Sequence, residues 1–209
     1  MPEPPPLRRS LLWGALVAAV AAVLVFGLLG ERWRQEASRA APPPVLVELP
    51  DFFLVERSGR VVTKAELAGR PWVADFIFTR CGLSCPRMTL AMQRLQAVLP
   101  PEGVRLISVS VDPAYDRPEV LRTYADGYGI RGEDWWFLTG EPEAVMALCR
   151  EGFKLSVSGP GEEAADPREP ILHSTRFVLV DARARIRGYY DGAEAAVVDR
   201  LVRDVQALR

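Results

Sequence analysis

The sequence predicts an α/β domain, in which helices pack on a mixed β-sheet, preceded by one apolar segment. Short apolar runs typical of buried strands alternate with segments whose apolar residues recur every three or four positions, as on one face of a helix. This alternation extends from about residue 45 to the end of the chain, which favours an α/β architecture. With 209 residues, of which 49% are hydrophobic, the chain is long enough to bury one core.

The first 44 residues are predicted to lie outside this domain. Residues 11–30 contain no charged side chain, and a helix of that length spans about 30 Å, the thickness of the hydrocarbon core of a bilayer. We expect a transmembrane helix there, between a short tail at 1–10 and a proline-rich spacer at 31–44. A cleaved signal peptide is the alternative, although its apolar region usually covers only about 7–15 residues. The domain itself is assigned to 45–209.

The composition excludes several classes of function. The formal net charge of −1 gives no electrostatic footprint for nucleic acid, so no nucleic-acid partner is expected. Three cysteines are an odd number, which argues against a structural disulfide framework. With a single histidine they are also poorly matched to a closed zinc site, which commonly uses two Cys pairs or Cys with His.

The elements of the domain follow from turn, cap and periodicity signals. Residues 45–55 and 60–63 flank a turn at Ser58-Gly59 and predict a β-hairpin. The sequence from Thr63 to Glu66 matches a capping box for one helical turn. Further strands are predicted at 72–78, 104–111, 135–138, 175–180 and 186–190, and helices at 81–99, 116–128, 141–151 and 193–208. Asp116 is interpreted as the cap of the helix that follows it.

Two cysteines flank the turn between the strand at 72–78 and the next helix. If that helix begins near Cys81, then Cys81 and Cys85 lie one turn apart on one face. Two thiols at the positive end of a helix are favoured as thiolates, the form that binds metals and attacks disulfides. The alternative is that both are small core residues, since free cysteine is often buried.

A single histidine, His173, follows a polar loop at 157–170 that is rich in Gly, Pro and acidic residues. It comes just before the strand at 175–180, where loops gather around sites. A lone histidine is more often a surface residue or a satisfied core residue. Two thiolates and one imidazole nevertheless suit copper, because soft sulfur selects Cu(I) and the nitrogen donor also allows Cu(II).

Two carboxylates are candidates to support the cysteines. Asp75 lies within an apolar strand, six residues before Cys81; if buried, its pKa would be raised and it would suit a proton relay. An edge or bulge position is the alternative for Asp75. Asp112 lies at the end of the next strand, where it supports the site or simply forms a turn with Pro113.

Three sulfur-containing residues are assigned to packing. Met88 and Met92 fall on the apolar stripe of the helix after the cysteines, and we interpret them as core rather than as copper ligands. Cys149 lies in the middle of a predicted helix and is interpreted as a buried residue without a chemical role.

Three stretches together resemble the Sco/SenC family of copper-binding, thioredoxin-like proteins. They are Ala74 to Pro86 with the cysteine pair, Ser110 to Pro113, and His173 to Asp181. The resemblance extends over about Leu49–Arg209, and the spacing of Cys-x-x-x-Cys-Pro with a distant His before a strand is specific. An apolar anchor before the domain also fits the family.

The resemblance implies a thioredoxin-like fold with one copper ion, Cu(I) or Cu(II), held by Cys81, Cys85 and His173. It implies a metallochaperone that assists assembly of the dinuclear copper centre of cytochrome c oxidase. The implied partners are the copper-receiving subunit of the oxidase and another copper chaperone or a thiol reductant. The implied location is the inner membrane, with the tail at 1–10 in the cytoplasm and the domain on the extracytoplasmic side. Thioredoxins also carry an acid six residues before their first motif cysteine, as Asp75 does here.

Two other functions stay open at this point. The same thiols suit an enzyme, a thiol-disulfide oxidoreductase that reduces the oxidase subunit or another periplasmic disulfide. Its usual motif is Cys-x-x-Cys, so the longer spacing and His173 favour the metallochaperone. A membrane-tethered binding module would require the Cys and His pattern to be accidental. The residues between the cysteines, Gly82-Leu83-Ser84, lack the proline or acid often found there in the family, a difference that would tune metal affinity and thiol potential.

Overall fold

The computed structural model describes residues 41–82, 84–100, 102–157 and 175–209, together with residues 13, 16, 19, 20, 22–27, 29 and 30. The chain divides into two compact units, Met1–Pro42 and Pro43–Arg209. In the first unit, the described residues of the predicted membrane segment are helical. Among the residues that are described, no helix is both long and apolar enough to cross a bilayer. The predicted tail at 1–10 and residues 31–40 of the predicted spacer lie outside the described residues.

The second unit contains the predicted α/β domain. Its strands are β1 (Val47–Glu48), β2 (Phe53–Glu56), β3 (Val61–Thr63), β4 (Trp72–Ile77), β5 (Arg105–Ser110), β6 (Trp135–Thr139), β7 (Arg176–Val180) and β8 (Arg185–Asp191). Its helices are α1 (Lys64–Leu67), α2 (Ser84–Val98), α3 (Pro118–Gly127), α4 (Pro142–Ala147), a π-helix (Leu148–Gly152) and α5 (Val197–Gln206). The prediction of helices on a mixed sheet is confirmed.

The described strands form one sheet in the order β1-β8-β7-β4-β5-β6-β2-β3. The central strands β4, β5 and β6 are parallel to one another, and the remaining neighbours pair antiparallel. All six residues of β4 are buried, as expected for a central strand covered on both faces. Because β4 and β5 run in the same direction, the loops that follow them leave the sheet at the same edge. The cysteines follow β4, and Asp112 follows β5.

The core lies between the sheet and its helices. The predicted apolar stripe of α2 is buried, including Met88, Met92 and Leu95. Helix α5 contacts α2, and its residue Leu201 is also buried. Burial of each such side chain contributes about 1.5–3 kcal/mol. The stripe therefore fixes how α2 lies on the sheet, and with it the position of the helix end that carries the cysteines.

Several local predictions are confirmed and others are corrected. The hairpin of β2 and β3 is present, and the Glu66 carboxylate accepts the backbone N–H of Thr63 at 2.9 Å, as a capping box requires. Helix α2 begins at Ser84 rather than near Cys81. The cap assigned to Asp116 is wrong, since the N-cap of α3 is Arg117 and no side chain caps it. Asp116 is instead turned inward, to partners described below.

Two helices differ from their predicted lengths. The helix predicted at 141–151 is α-helical only to Ala147 and continues as the π-helix. The ring of Phe153, just after that π-helix, packs edge-on against Phe76 and Trp72 at centroid distances of 4.9 and 6.0 Å. The π-helix is thus followed by an aromatic side chain that packs against strand β4. The last helix begins at Val197 rather than at 193.

Candidate metal and dithiol site

Cys81 and Cys85 come together at the first turn of α2. Strand β4 leads into a turn in which the N–H of Cys81 donates to the carbonyl of Phe78 at 3.1 Å. The Cys81 sulfur then lies 3.4 Å from the backbone nitrogen of Cys85 and 3.5 Å from the hydroxyl oxygen of Ser84. Both cysteines are thiols in this structure. The two sulfurs therefore share one small region at the positive end of a 15-residue helix, which favours negative charge on sulfur.

The two sulfurs differ in exposure and in their tendency to hold a proton. Cys81 is 7% exposed, and Cys85 is completely buried. The pKa of Cys85 is raised above its ordinary value, first by its hydrogen bond with the Cys81 sulfur and then by burial. Cys81 is thus the sulfur that an incoming group meets first, and Cys85 is the inner sulfur that retains its proton.

Asp116 connects the cysteine loop to the end of β5. It is fully buried, and its carboxylate accepts the N–H of Thr79 at 3.0 Å and the Thr79 hydroxyl at 2.5 Å. It also accepts the hydroxyl of Ser110 at 2.6 Å. Burial raises the pKa of Asp116, while the hydrogen bonds from Ser110 and Thr79 oppose that rise. Three hydrogen bonds to one buried carboxylate thus connect the loops after β4 and β5. The connection is made at Thr79, two residues before Cys81.

Asp112 holds the residue that directly precedes Cys81. This buried carboxylate lies 2.5 Å from a terminal nitrogen of the Arg80 guanidinium. The Arg80 guanidinium also lies over the ring of Tyr115, at 4.3 Å from its centroid. The hydrogen bond to Asp112 raises the pKa of Arg80. The backbone carbonyl of Asp112 also accepts the N–H groups of Tyr115 and Asp116, at 3.0 and 2.8 Å, so Asp112 forms a turn as well as contacting Arg80.

Asp75 lies in the core beneath the cysteine turn. It is fully buried, so the edge position considered for it is excluded. One of its oxygens accepts the hydroxyl of Ser108 at 2.6 Å, and Ser108 in turn accepts the indole N–H of Trp135 at 2.9 Å. The charge of Asp75 is also among the influences that raise the pKa of Cys85. Asp75 is therefore close enough to the inner sulfur to affect its proton.

The third predicted ligand, His173, lies outside the described residues. Within the part of the chain that the structure describes, no group of three or more His, Cys, Asp or Glu residues is arranged to hold a metal ion. Met88 and Met92 are buried in the core, as predicted, and Cys149 is buried in the π-helix. Burial raises the pKa of Cys149 to about 12, in keeping with a packing role.

The sequence did not reveal that Asp116 supports the cysteine loop. The signal for this role lies in its two partners, Thr79 and Ser110. Thr79 and Ser110 are polar residues at the ends of two apolar strands that leave the sheet at the same edge. Buried polar side chains require hydrogen-bond partners. The sequence thus indicates that Thr79 and Ser110 need hydrogen-bond partners, and only the fold shows that Asp116 is the acceptor for both.

The sequence is similar to those of known proteins over the region that contains this site. A sequence model of the SCO1/SenC family matches residues 44–208, a range that contains both cysteines. The chain belongs to this family. The SCO1 protein homolog of Bacillus subtilis (strain 168) is 34% identical over 167 residues, covering 78% of this chain and 84% of that protein. A protein of Stutzerimonas stutzeri named for copper binding is 29% identical over 194 residues, covering 90% and 89%.

The solved Sco structures share the fold described above. The structure of BsSco, described as a member of the Sco family of cytochrome c oxidase assembly proteins with a disulfide switch, matches with a TM-score of 0.68. It is 34% identical and covers 79% of this chain and 95% of that one. The resemblance to the Sco/SenC family and the fold that it implied for the domain are therefore confirmed.

Proposed function

We propose that this protein is a membrane-anchored copper metallochaperone that carries one copper ion as cargo on Cys81, Cys85 and His173. One observation supports this more than any other: the Cys81 sulfur lies 3.4 Å from the backbone nitrogen of Cys85, so both thiols meet at the start of α2. Two soft sulfur donors side by side suit Cu(I), and an imidazole donor extends the set to Cu(II). The name of the Stutzerimonas stutzeri relative supports the same metal.

The chain's own groups have distinct roles in this proposal. Cys81 is the more exposed sulfur and receives the ion first. Cys85 is protonated when buried without metal, so binding of the ion releases its proton. Asp116 holds Thr79, and Asp112 holds Arg80, which fixes the loop that carries Cys81. The loop geometry is thus set before copper arrives, as an efficient binding site requires.

The proposed recipient is the copper-receiving subunit of cytochrome c oxidase, in keeping with the description of BsSco as an oxidase assembly protein. Another copper chaperone or a thiol reductant would load or reset the site. Residues 11–30 are proposed to anchor the domain in the inner membrane, on the extracytoplasmic side. That side is oxidising, where exposed thiol chemistry and copper transfer take place.

Thiol-disulfide exchange is the second candidate function, and the unequal exposure of the two sulfurs favours it. The Cys81 thiolate would attack a partner's disulfide and form a mixed disulfide, releasing one partner thiolate. The Cys85 thiolate would then attack the Cys81 sulfur and release the second partner thiolate. The partner gains two electrons, and this chain is left with a Cys81–Cys85 disulfide. The disulfide switch of BsSco supports this use of the pair.

Copper titration with matched thiol variants tests the first proposal. We expect the wild type and Cys149→Ala to bind one copper ion per chain, and Cys81→Ser and Cys85→Ser to lose high-affinity binding. Cys149 is the matched control because it is also a buried thiol. Equal binding by all four proteins would reject the cysteine pair as the site. For the second candidate, a measured dithiol potential too oxidising to reduce a partner disulfide would exclude a reductase.

A further inference from the structure

A second cluster of functional groups lies at the other end of the parallel strands. Arg105 is the first residue of β5, whereas Ser110, next to the cysteine loop, is the last. These two positions are roughly 17 Å apart along the strand. An open cavity of about 1170 Å³ lies at the Arg105 end, and Arg60, Arg70 and Trp136 also line it. This site is separate from the cysteines and does not depend on the proposed function.

Trp136 organises two of these arginines. The guanidinium carbon of Arg105 lies 3.7 Å from the centroid of the indole, and that of Arg60 lies 4.2 Å from it. The indole is only 7% exposed, and its N–H donates to the carbonyl of Glu133 at 2.7 Å. A guanidinium stacked by its face presents its N–H donors at its edge, in the plane of the group. The ring thus holds two guanidiniums beside one cavity, and one N–H of Arg105 also donates to the backbone carbonyl of Glu66 at 3.0 Å.

The cluster concentrates positive charge. Burial, followed by the charges of Arg70 and Arg60, lowers the pKa of Arg105 to about 10. Arg105 is therefore still protonated at neutral pH, and its guanidinium lines the same cavity as those of Arg60 and Arg70. A carboxylate oxygen of Glu66 lies 3.7 Å from Arg60. Its other oxygen is used by the N–H of Thr63.

Carboxylates also line the cavity, but two of the five have other partners. Glu56 accepts the N–H of Ser58 at 2.7 Å and lies 3.5 Å from Arg57. Asp134 accepts the amide of Gln96 at 3.1 Å. The remaining acids, Glu102, Asp126 and Glu133, belong to the same lining. Six arginines, among them Arg60, Arg70 and Arg105, share this lining with the five acids, so positive charge is in excess by one and an anion is the expected ligand.

We propose that Arg60, Arg70 and Arg105 form a binding site for a phosphate group. The edge of a guanidinium matches phosphate oxygens with two parallel hydrogen bonds. A cavity in which positive charge is in excess attracts anionic ligands. A bound phosphate would also offset the mutual repulsion of the three arginines. Free phosphate and the headgroup of an anionic phospholipid carry the same group, and the experiment distinguishes between them.

Calorimetric titration of the full-length protein in nonionic detergent with inorganic phosphate tests the site. We expect saturable binding by wild type, and binding weaker by about ten-fold or more in Arg105→Gln, because a charge-assisted hydrogen bond is lost. If Arg105→Gln fails to fold, Arg60→Gln serves as the second variant and should also weaken phosphate binding. The Arg60 side chain is 49% exposed, so its replacement should not disturb folding. Arg105→Lys keeps the charge but loses the planar fork, and it too should bind less tightly.

Arg94→Gln is the matched control, because Arg94 is exposed on α2 and its loss changes the net charge equally. Binding that weakens equally in Arg94→Gln and Arg105→Gln would overturn the proposal, as would the absence of saturable binding by wild type. The titration is then repeated after reconstitution in phosphatidylcholine vesicles with and without phosphatidylglycerol. Weaker phosphate binding in the anionic vesicles assigns the site to a lipid headgroup, and unchanged binding assigns it to soluble phosphate.

Discussion

The carboxylate of Asp116 accepts two hydrogen bonds from Thr79, one from the backbone N–H and one from the side-chain hydroxyl of that residue. Thr79 is two residues before Cys81, and Asp116 also accepts the hydroxyl of Ser110 at the end of β5. The position of the more exposed sulfur is therefore set by a buried acid on a different loop. The site depends on the sheet, because parallel β4 and β5 bring these loops to one edge.

Asp116→Asn should loosen the cysteine loop. The amide nitrogen cannot accept a hydrogen bond, so at least one of the three donors loses its partner, at a cost of about 1–3 kcal/mol in the free energy of unfolding. We expect copper affinity to fall by about ten-fold, since the sulfurs are held less firmly. Denaturant unfolding and copper titration measure the two effects. The exposed acid Asp199, changed to Asn, is the control; an equal loss in both variants would contradict the positioning role.

Cys81 should react faster with an alkylating reagent than Cys85. The comparison uses two variants with one cysteine each, Cys85→Ala/Cys149→Ala and Cys81→Ala/Cys149→Ala. In the variant that retains only Cys85, the hydrogen bond with Cys81 is absent, but burial still keeps the thiol protonated and inaccessible. Its labelling at pH 8 should therefore be slower by about ten-fold or more. Mass spectrometry over time gives both rates. Equal rates would show that the difference in exposure has no chemical consequence.

Asp75→Asn should make Cys85 more reactive. The variant removes a charge that raises the pKa of Cys85, while the side chain can still accept from Ser108. We expect a few-fold faster labelling of Cys85 in a chain that also carries Cys149→Ala. Ser108→Ala breaks the hydrogen bond to Asp75 but leaves its charge, and it should not accelerate labelling. Acceleration by Ser108→Ala alone would attribute the effect to loosened packing rather than to charge.

Asp181 should make stability depend on pH in the acid range. Burial acts to raise its pKa, but the hydrogen bonds from Arg185 and Arg187 outweigh burial, and the pKa is lowered in the folded state. The unfolded chain therefore binds the proton more readily, and the contribution of Asp181 is fully present above its unfolded pKa of about 3.9. It is lost as the pH falls through the folded pKa.

The variant Asp181→Asn isolates this contribution. At neutral pH we expect it to lower the free energy of unfolding by about 1 kcal/mol or more. The difference from wild type should shrink as the pH falls below about 4. Urea unfolding at a series of pH values provides the measurement. A difference that grows toward acid would mean that the sign of the pKa shift is wrong.

Sequence periodicity predicted helices on a mixed sheet and the buried stripe of α2. These follow from short-range patterns. The partners of Asp116 did not follow, because local sequence favours a helix cap and only the tertiary fold brings Thr79 within reach. The π-helix after Ala147 was not predicted either; it ends just before Phe153, whose ring contacts Phe76, a residue distant in sequence.

The arginine site also required the structure. Arg60, Arg70, Arg105 and Trp136 are far apart in a chain that contains many arginines, so nothing in the sequence singles them out. In the pairing of β5 with β6, Trp136 lies opposite Ile107. Arg105 is two residues before Ile107 on the same face of the sheet, which brings it close to Trp136. The contact of guanidinium and indole is thus a consequence of strand register.

The ligand set Cys81, Cys85 and His173 is the central claim, and X-ray absorption spectroscopy of the copper-loaded protein tests it most directly. We predict two sulfur donors and one imidazole nitrogen in the wild type, and loss of the nitrogen with both sulfurs retained in His173→Ala. An unchanged copper environment in His173→Ala would contradict the account, as would a wild-type spectrum without two sulfur donors.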